Sequence, residues 1–242
     1  MQDRYAGDVG DFGKLGLFRA VAGSGLRVGV NWYRTLWANE CAVNHDGKHT
    51  SYLTDNTFAI CDSALWHTLR QIVATQRSVL ALEKANLIPH ATYYHAFLDS
   101  KNTSQLTRSD WHREAMLTLA DTDFVFCDPD NGLLVPSVKM SSNKSDKDVT
   151  VEELHDYYTS GKSVVFYNHR SRQKEPIYLR RFQALMNSER FPHAEWMGLK
   201  FSRGTTRDYI FIMQPAHAQA IHRAVAELLH TSWSKHFFMA SL

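Results

Sequence analysis

Three apolar runs in this chain stop at residues that could do chemistry. In "FVFCDPDNGLLVP" (124–136) the run ends at Asp128-Pro129-Asp130-Asn131. Carboxylates there could orient a water, act as a general base, hold a metal or stabilise a developing cation, although the same residue types also build plain turns. In "KSVVFYNHRSR" (162–172) the ending is Asn168-His169-Arg170-Ser171-Arg172. A histidine can donate to a developing anion near neutral pH, and arginines suit phosphate. "LRVGVNWYR" (26–34) ends at Asn31-Trp32-Tyr33-Arg34. One polar strand end is ordinary; three at corresponding ends point to a site.

Two further polar clusters could contribute. "YAGDVGDFGKLGLFR" (5–19) holds Asp8, Asp11 and Lys14 among glycines at 7, 10, 13 and 16. Glycines permit close approach of backbone to a ligand, and a helix start can cradle a phosphate. The stretch lacks the Gly-Lys-Ser/Thr end of a Walker loop and precedes the first strand instead of following it. "NHDGKHTSYL" (44–53) supplies His45, Asp46, Lys48 and His49, with Asp46 and Lys48 as candidate substrate contacts. Its spacing matches no standard zinc pattern, so no metal is expected. Trp32, Tyr33, Tyr93 and Tyr94 could stack on bases, though aromatics in strands more often pack a core.

These residues need a scaffold, and the periodicity supplies one. A helix is expected near Asp11 to Ala22, then a strand at 26–33, one or two helices between Ser63 and Asn86, a strand at 91–98 and a helix at 109–120. The "DFVFCD" strand follows. A polar, mobile loop is expected at 141–148, a capping-box helix at 150–161, the strand from 162, two strands within 194–215 and a closing helix. Strands alternating with helices predict one α/β domain over 1–242, with a mostly parallel sheet, helices on both faces and a C-terminal antiparallel strand pair. Ligands of such sheets bind beyond the carboxyl ends of the strands.

The composition limits the function classes. At 242 residues, 44% hydrophobic and 21% charged, the chain is an ordinary globular one, not a disordered one. Its net charge of +2 is unevenly spread: ten basic and four acidic residues lie between Lys162 and Asp208, making that segment +6 and the rest −4. Such a segment suits phosphate-bearing partners. The three cysteines, Cys41, Cys61 and Cys127, are too few and too scattered for a disulfide framework, and Cys127 reads as an inert packed thiol. No signal-peptide pattern and no apolar run of membrane-spanning length is visible, so a cytoplasmic protein without a membrane partner is expected.

The order of motifs resembles that of Rossmann-like nucleic-acid methyltransferases, above all the bacterial rRNA adenine methyltransferases with Asp-Pro-Pro-Tyr after the fourth strand. Asp128-Pro129-Asp130-Asn131 stands where that motif would, "SVVFYNH" resembles the next strand, and 194–213 resembles the closing antiparallel pair. The family's glycine-rich cofactor loop is replaced by Asn31-Trp32-Tyr33-Arg34, and no acidic residue closes a second strand to hold a ribose. A fainter resemblance is to uracil-DNA glycosylases. "VGVNWY" looks like their Gly-x-Asn-Pro form without its proline, "DPDNG" like their Asp-Pro-Tyr-His form, and "YNHRSR" takes the place of the leaving-group clamp. The chain also resembles a small group of anti-phage DNA glycosylases acting on modified cytosines.

That second resemblance implies a DNA glycosylase needing no cofactor, acting on double-stranded DNA that carries a modified base. Breaking an N-glycosidic bond builds positive charge on the sugar and negative charge on the base. A carboxylate, Asp128 or Asp130, would then sit near the sugar and the water, with Asn131 and Asn31 as further catalytic candidates, and His169 or Asn168 would meet the base. Arg170, Arg172, Arg203 and Arg207 would hold the phosphates of a flipped nucleotide, with Tyr33, Asp8, Asp11, Lys14 and Asn168 as further substrate-binding candidates. The alternatives are an S-adenosylmethionine-dependent base methyltransferase, a non-catalytic nucleic-acid-binding module, and a metal-dependent nuclease using Asp46, Asp128 and Asp130.

Overall fold

A computed structural model describes residues 1–35, 49–99, 107–140, 142, 144–170 and 174–242. Asp46, Lys48 and Arg172 lie outside the described residues. Helix α1 (Val9–Gly23) starts where the Asp8 carboxylate accepts the Asp11 N–H at 2.9 Å, which satisfies one of the unpaired donors of a helix start. Strands β1 (Val28–Asn31) and β2 (Arg34–Thr35) follow. Asp55, Asp62 and Ser78 then cap α2 (Asn56–Ala59), α3 (Ser63–Thr75) and α4 (Val79–Lys84), so the segment from Ser63 to Asn86 forms two helices.

Next come β3 (Thr92–Tyr94), β4 (Phe97–Leu98), α5 (Arg108–Thr118), β5 (Phe124–Cys127), β6 (Gly132–Leu133) and β7 (Asp148–Val149). The capping box at Thr150 and Glu153 starts α6 (Val151–Thr159) as its spacing predicts. The chain closes with β8 (Ser163–His169), α7 (Glu175–Met186), β9 (Glu195–Arg203), β10 (Thr205–Met213), α8 (Pro215–Leu229) and β11 (Phe237–Ala240). Part of the expected polar loop has structure: Ser145–Lys147 is a 3-10 turn, Asp148–Val149 pairs with Gly132–Leu133, and Ser145, Asp146 and Asp148 are buried.

Seven strands form the main sheet in the order β11-β9-β10-β8-β5-β1-β3. The run β3-β1-β5-β8 is parallel, whereas β10 pairs antiparallel with both β8 and β9, and β11 antiparallel with β9. The sheet is therefore mixed, and the expected antiparallel pair is its β9–β10 hairpin. Helix α7 and edge strand β11 are additions to the expected elements. Among the described residues no helix is long and apolar enough to cross a membrane.

The sheet separates two apolar clusters. Val28, Val30, Phe124, Phe126, Val165 and Tyr209 pack on one face with Phe18 of α1, Leu69 of α3 and Ile221 of α8. Val125, Cys127, Val164, Phe166 and Ile210 pack on the other with Trp111 of α5, Tyr157 of α6 and Phe182 of α7. Side chains alternate faces along a strand, and this alternation decides which strand-end residues can meet.

Candidate active site

A cavity of about 420 Å³ opens at the carboxyl ends of β5 and β8, between the start of α1 and the start of β10. The period of two puts Asp128 on the face of Phe124 and Phe126, and Tyr167 and His169 on the face of Val165; these three side chains line the cavity with Asp8, Asp11, Lys14 and Arg207. Gly10 of α1 lines the cavity, and the glycines of this helix also serve its packing. A Cβ at Gly10 would meet the Arg207 guanidinium, and one at Gly13 the Phe201 ring, so they let α1 lie directly on β9 and β10.

Lys14 organises the acidic wall. Its Nζ lies 2.8 Å from Asp11 Oδ1 and 2.6 Å from Asp128 Oδ2, in a site where Lys14 is 5% and Asp128 4% exposed. Burial alone would lower the lysine's pKa, but the two carboxylates outweigh it and the net shift is upward, which keeps the ammonium charged. The Asp128 carboxyl is pushed up by burial, against the opposing pull of Lys14 and the Met1 amino group. Asp8 is likewise pushed up, by burial and then by Asp11, with Arg207 pulling the other way from 3.6 Å.

The four carboxylates of the cavity differ in what they have left to offer. Asp11 spends one oxygen on Lys14 and the other on the Gly7 N–H at 2.9 Å. Asp8 spends its pair on the Asp11 N–H and Arg207. Asp130 takes the Met1 amino group at 2.9 Å and the Gln2 amide at 2.7 Å; burial would raise its pKa, but that amino group holds it below the usual range. Asp128 engages through Oδ2 alone, and no hydrogen bond from the described residues reaches its Oδ1. It is the carboxylate with an oxygen available to a substrate or a water.

Across the cavity, the Tyr167 hydroxyl lies 3.3 Å from His169 Nδ1, and burial pushes the Tyr167 pKa up to about 12, which keeps it a donor. The backbone fixes the frame: Asp128 N–H donates to Asn31 C=O at 2.9 Å, and His169 N–H to Asn131 C=O at 2.8 Å. Asn131 lines the cavity and bonds Asp148, whose carboxyl burial pushes up to about 6.

Several expected site residues sit elsewhere, and strand alternation is the main reason. Asn31 is fully buried, donating to the Tyr157 hydroxyl at 3.1 Å, and the Tyr33 hydroxyl donates to Glu153 at 3.0 Å, both on the α5–α6 side of the sheet. Asn168 accepts the Leu133 N–H at 3.0 Å and donates to the Tyr178 hydroxyl at 2.7 Å. Arg170 is held by Asp208 at 3.0 Å and Glu175 at 2.5 Å. Arg203 lines a second, smaller cavity. Conversely Tyr5, Lys147, Tyr167 and Thr205 line the main cavity, although the sequence did not mark them as site residues, and His49 of the 44–53 polar cluster lines it too. Tyr167 was within reach of the sequence, being two residues before His169 on one strand face.

No protein-family model matches the chain, and a search of curated proteins returns no significant match. Among the described residues no group of three or more His, Cys, Asp or Glu side chains is arranged to hold a metal ion.

Proposed function

We propose that the protein is a nucleic-acid base-modifying enzyme, a DNA glycosylase that hydrolyses the N-glycosidic bond of a modified base and leaves an abasic site. The observation that carries this reading is the Asp128 carboxylate, buried, clamped by Lys14 through one oxygen and open through the other, with His169 lining the same cavity. A cavity of about 420 Å³ falls in the range of small-ligand sites and suits one extruded nucleoside.

In this mechanism Asp128 stabilises positive charge on the sugar and takes a proton from the attacking water. The C1′–N bond breaks with its electron pair leaving on the base, water oxygen bonds C1′, and His169 donates the proton that neutralises the base. Lys14 positions Asp128 and is held as an ammonium, so it does not compete as a nucleophile on the sugar.

The methyltransferase reading has one feature in its favour, the hairpin β9–β10 placing β10 antiparallel beside β8, as that resemblance implies. Against it, the space after β1 is filled by Trp32 and Tyr33, both buried. The glycosylase reading is tested by counting abasic sites with an aldehyde-reactive probe in DNA carrying modified cytosines. Wild type should generate them, and Asp128→Asn should lose at least about a hundredfold in rate, typical for an acid–base group. Calorimetric binding of S-adenosylmethionine, with no abasic sites, would transfer the assignment to methyl transfer.

A further inference from the structure

A second cavity, of about 190 Å³, adjoins the main one, and both are lined by His49. His49 is fixed from two sides. Its carbonyl accepts the Val9 N–H at 2.9 Å at the start of α1, and its ring packs at the β9–β10 turn, 3.2 Å from where a Cβ on Gly204 would stand. The two cavities thus meet at one shared wall.

The chemistry of the smaller cavity differs from that of the larger. Phe58 and Tyr52 give it aromatic walls, and Arg203 gives it a cation. The guanidinium is held in place: Nε donates to His236 Nδ1 at 2.6 Å, one Nη donates to Lys235 C=O at 3.0 Å, and the group lies 6.0 Å from the Phe58 ring centre. His236 stacks on Phe58 at 4.9 Å and stays neutral at physiological pH, since burial first, then Arg203 and Lys235, hold its pKa down to about 4. Among the described residues no carboxylate forms an ion pair with Arg203. Among the described residues the one acid lining this cavity, Asp55, already caps the Thr57 N–H at 2.9 Å.

We infer that the two cavities form one groove for a polynucleotide strand, the smaller holding the nucleotide next to the one that reacts. Its phosphate meets Arg203, and its base lies against the Phe58–Tyr52 wall. The consequence is a substrate class: a strand of at least two nucleotides, not a free nucleoside or mononucleotide. This rests on the base-excision reading for the role of the main cavity, but its test is separate.

The test uses the full chain, a fluorescein-labelled single-stranded DNA of about 12 nucleotides and unmodified sequence, and anisotropy titrations between about 50 and 200 mM salt. Each phosphate contact contributes about 0.7 to the slope of log K against log salt for a single strand. Arg203→Gln should lower that slope by about 0.7, while binding of a mononucleotide at the main cavity stays as in wild type. Phe58→Leu should weaken the oligonucleotide several-fold without changing the slope. A slope unchanged in Arg203→Gln, or equal affinity for mononucleotide and oligonucleotide, overturns the inference. Salt slopes that shift as stated in a protein that makes no abasic sites would sink the excision reading and leave the groove standing; abasic sites with unchanged slopes would do the reverse.

Discussion

Replacing Lys14 by methionine isolates the interaction on which the acidic wall depends. Methionine keeps much of the side-chain volume and removes the charge that lies 2.6 Å from Asp128 and 2.8 Å from Asp11. Removing one partner of a buried ion pair costs about 3–5 kcal/mol, because the other is left buried and uncompensated. Here the carboxylates have an escape, which is to take up a proton. Protonating an aspartate whose ordinary pKa is 3.8 costs about 1.4 kcal/mol per pH unit above that value, so the penalty is capped at about 4 kcal/mol at pH 7 and about 1.5 kcal/mol at pH 5. The destabilisation should therefore shrink as pH falls. For a chain of this size about 4 kcal/mol corresponds to a fall in Tm of roughly 8–16 °C. Urea unfolding of wild type, Lys14→Met, Asp128→Asn and the double variant gives the coupling energy, expected at about 2 kcal/mol or more at pH 7. A Lys14→Met penalty below about 1 kcal/mol, or one that does not change between pH 7 and pH 5, refutes the assignment of Lys14 as the clamp.

Three other outcomes follow from particular contacts. Gly132 has φ +128° and a Cβ there would collide with the Asn168 amide, so Gly132→Ala should destabilise by at least about 3 kcal/mol in denaturant unfolding. Asp148 has a folded pKa raised to about 6 from 3.8, so it favours the fold below the lower value and that contribution is lost as pH rises through 6; Asp148→Asn should gain up to about 3 kcal/mol over wild type at pH 8 and little at pH 4, read as Tm against pH. His169→Ala, at an exposed strand end, should leave Tm within about 2 °C of wild type while slowing single-turnover base release about a hundredfold.

Much of the site was legible because its residue types are conspicuous. Asp8, Asp11, Lys14, Asp128, Asp130, Asn131, His169 and Arg207 were all marked out by their chemistry, and all line the cavity. What the sequence did not show was pairing across 114 residues, as between Lys14 and Asp128, which only the packing of α1 on the sheet creates. Grouping polar residues by strand end also merged two faces. Asn168 and His169 are neighbours in sequence yet point to opposite sides of the sheet, as do Asp208 and Arg207, so Asn168 went to a buried network around Tyr178, and Asn31 and Tyr33 to one around Tyr157 and Glu153. The fold was readable where caps and periodicity agreed, as at Thr150–Glu153. Strand β11 gave little signal, because "FFMA" is four residues long and its pairing with β9 depends on α8 turning the chain back.

The central claim is that Asp128 hydrolyses a glycosidic bond, and the most direct measurement is of the two products together. DNA with modified cytosines and DNA without them would be incubated with wild type and with Asp128→Asn, and free base by mass spectrometry compared with abasic sites by aldehyde labelling. Equal amounts of free modified base and abasic sites are expected from wild type on modified DNA, and neither from the variant. Free base absent in every tube, or released equally by Asp128→Asn, would contradict that claim.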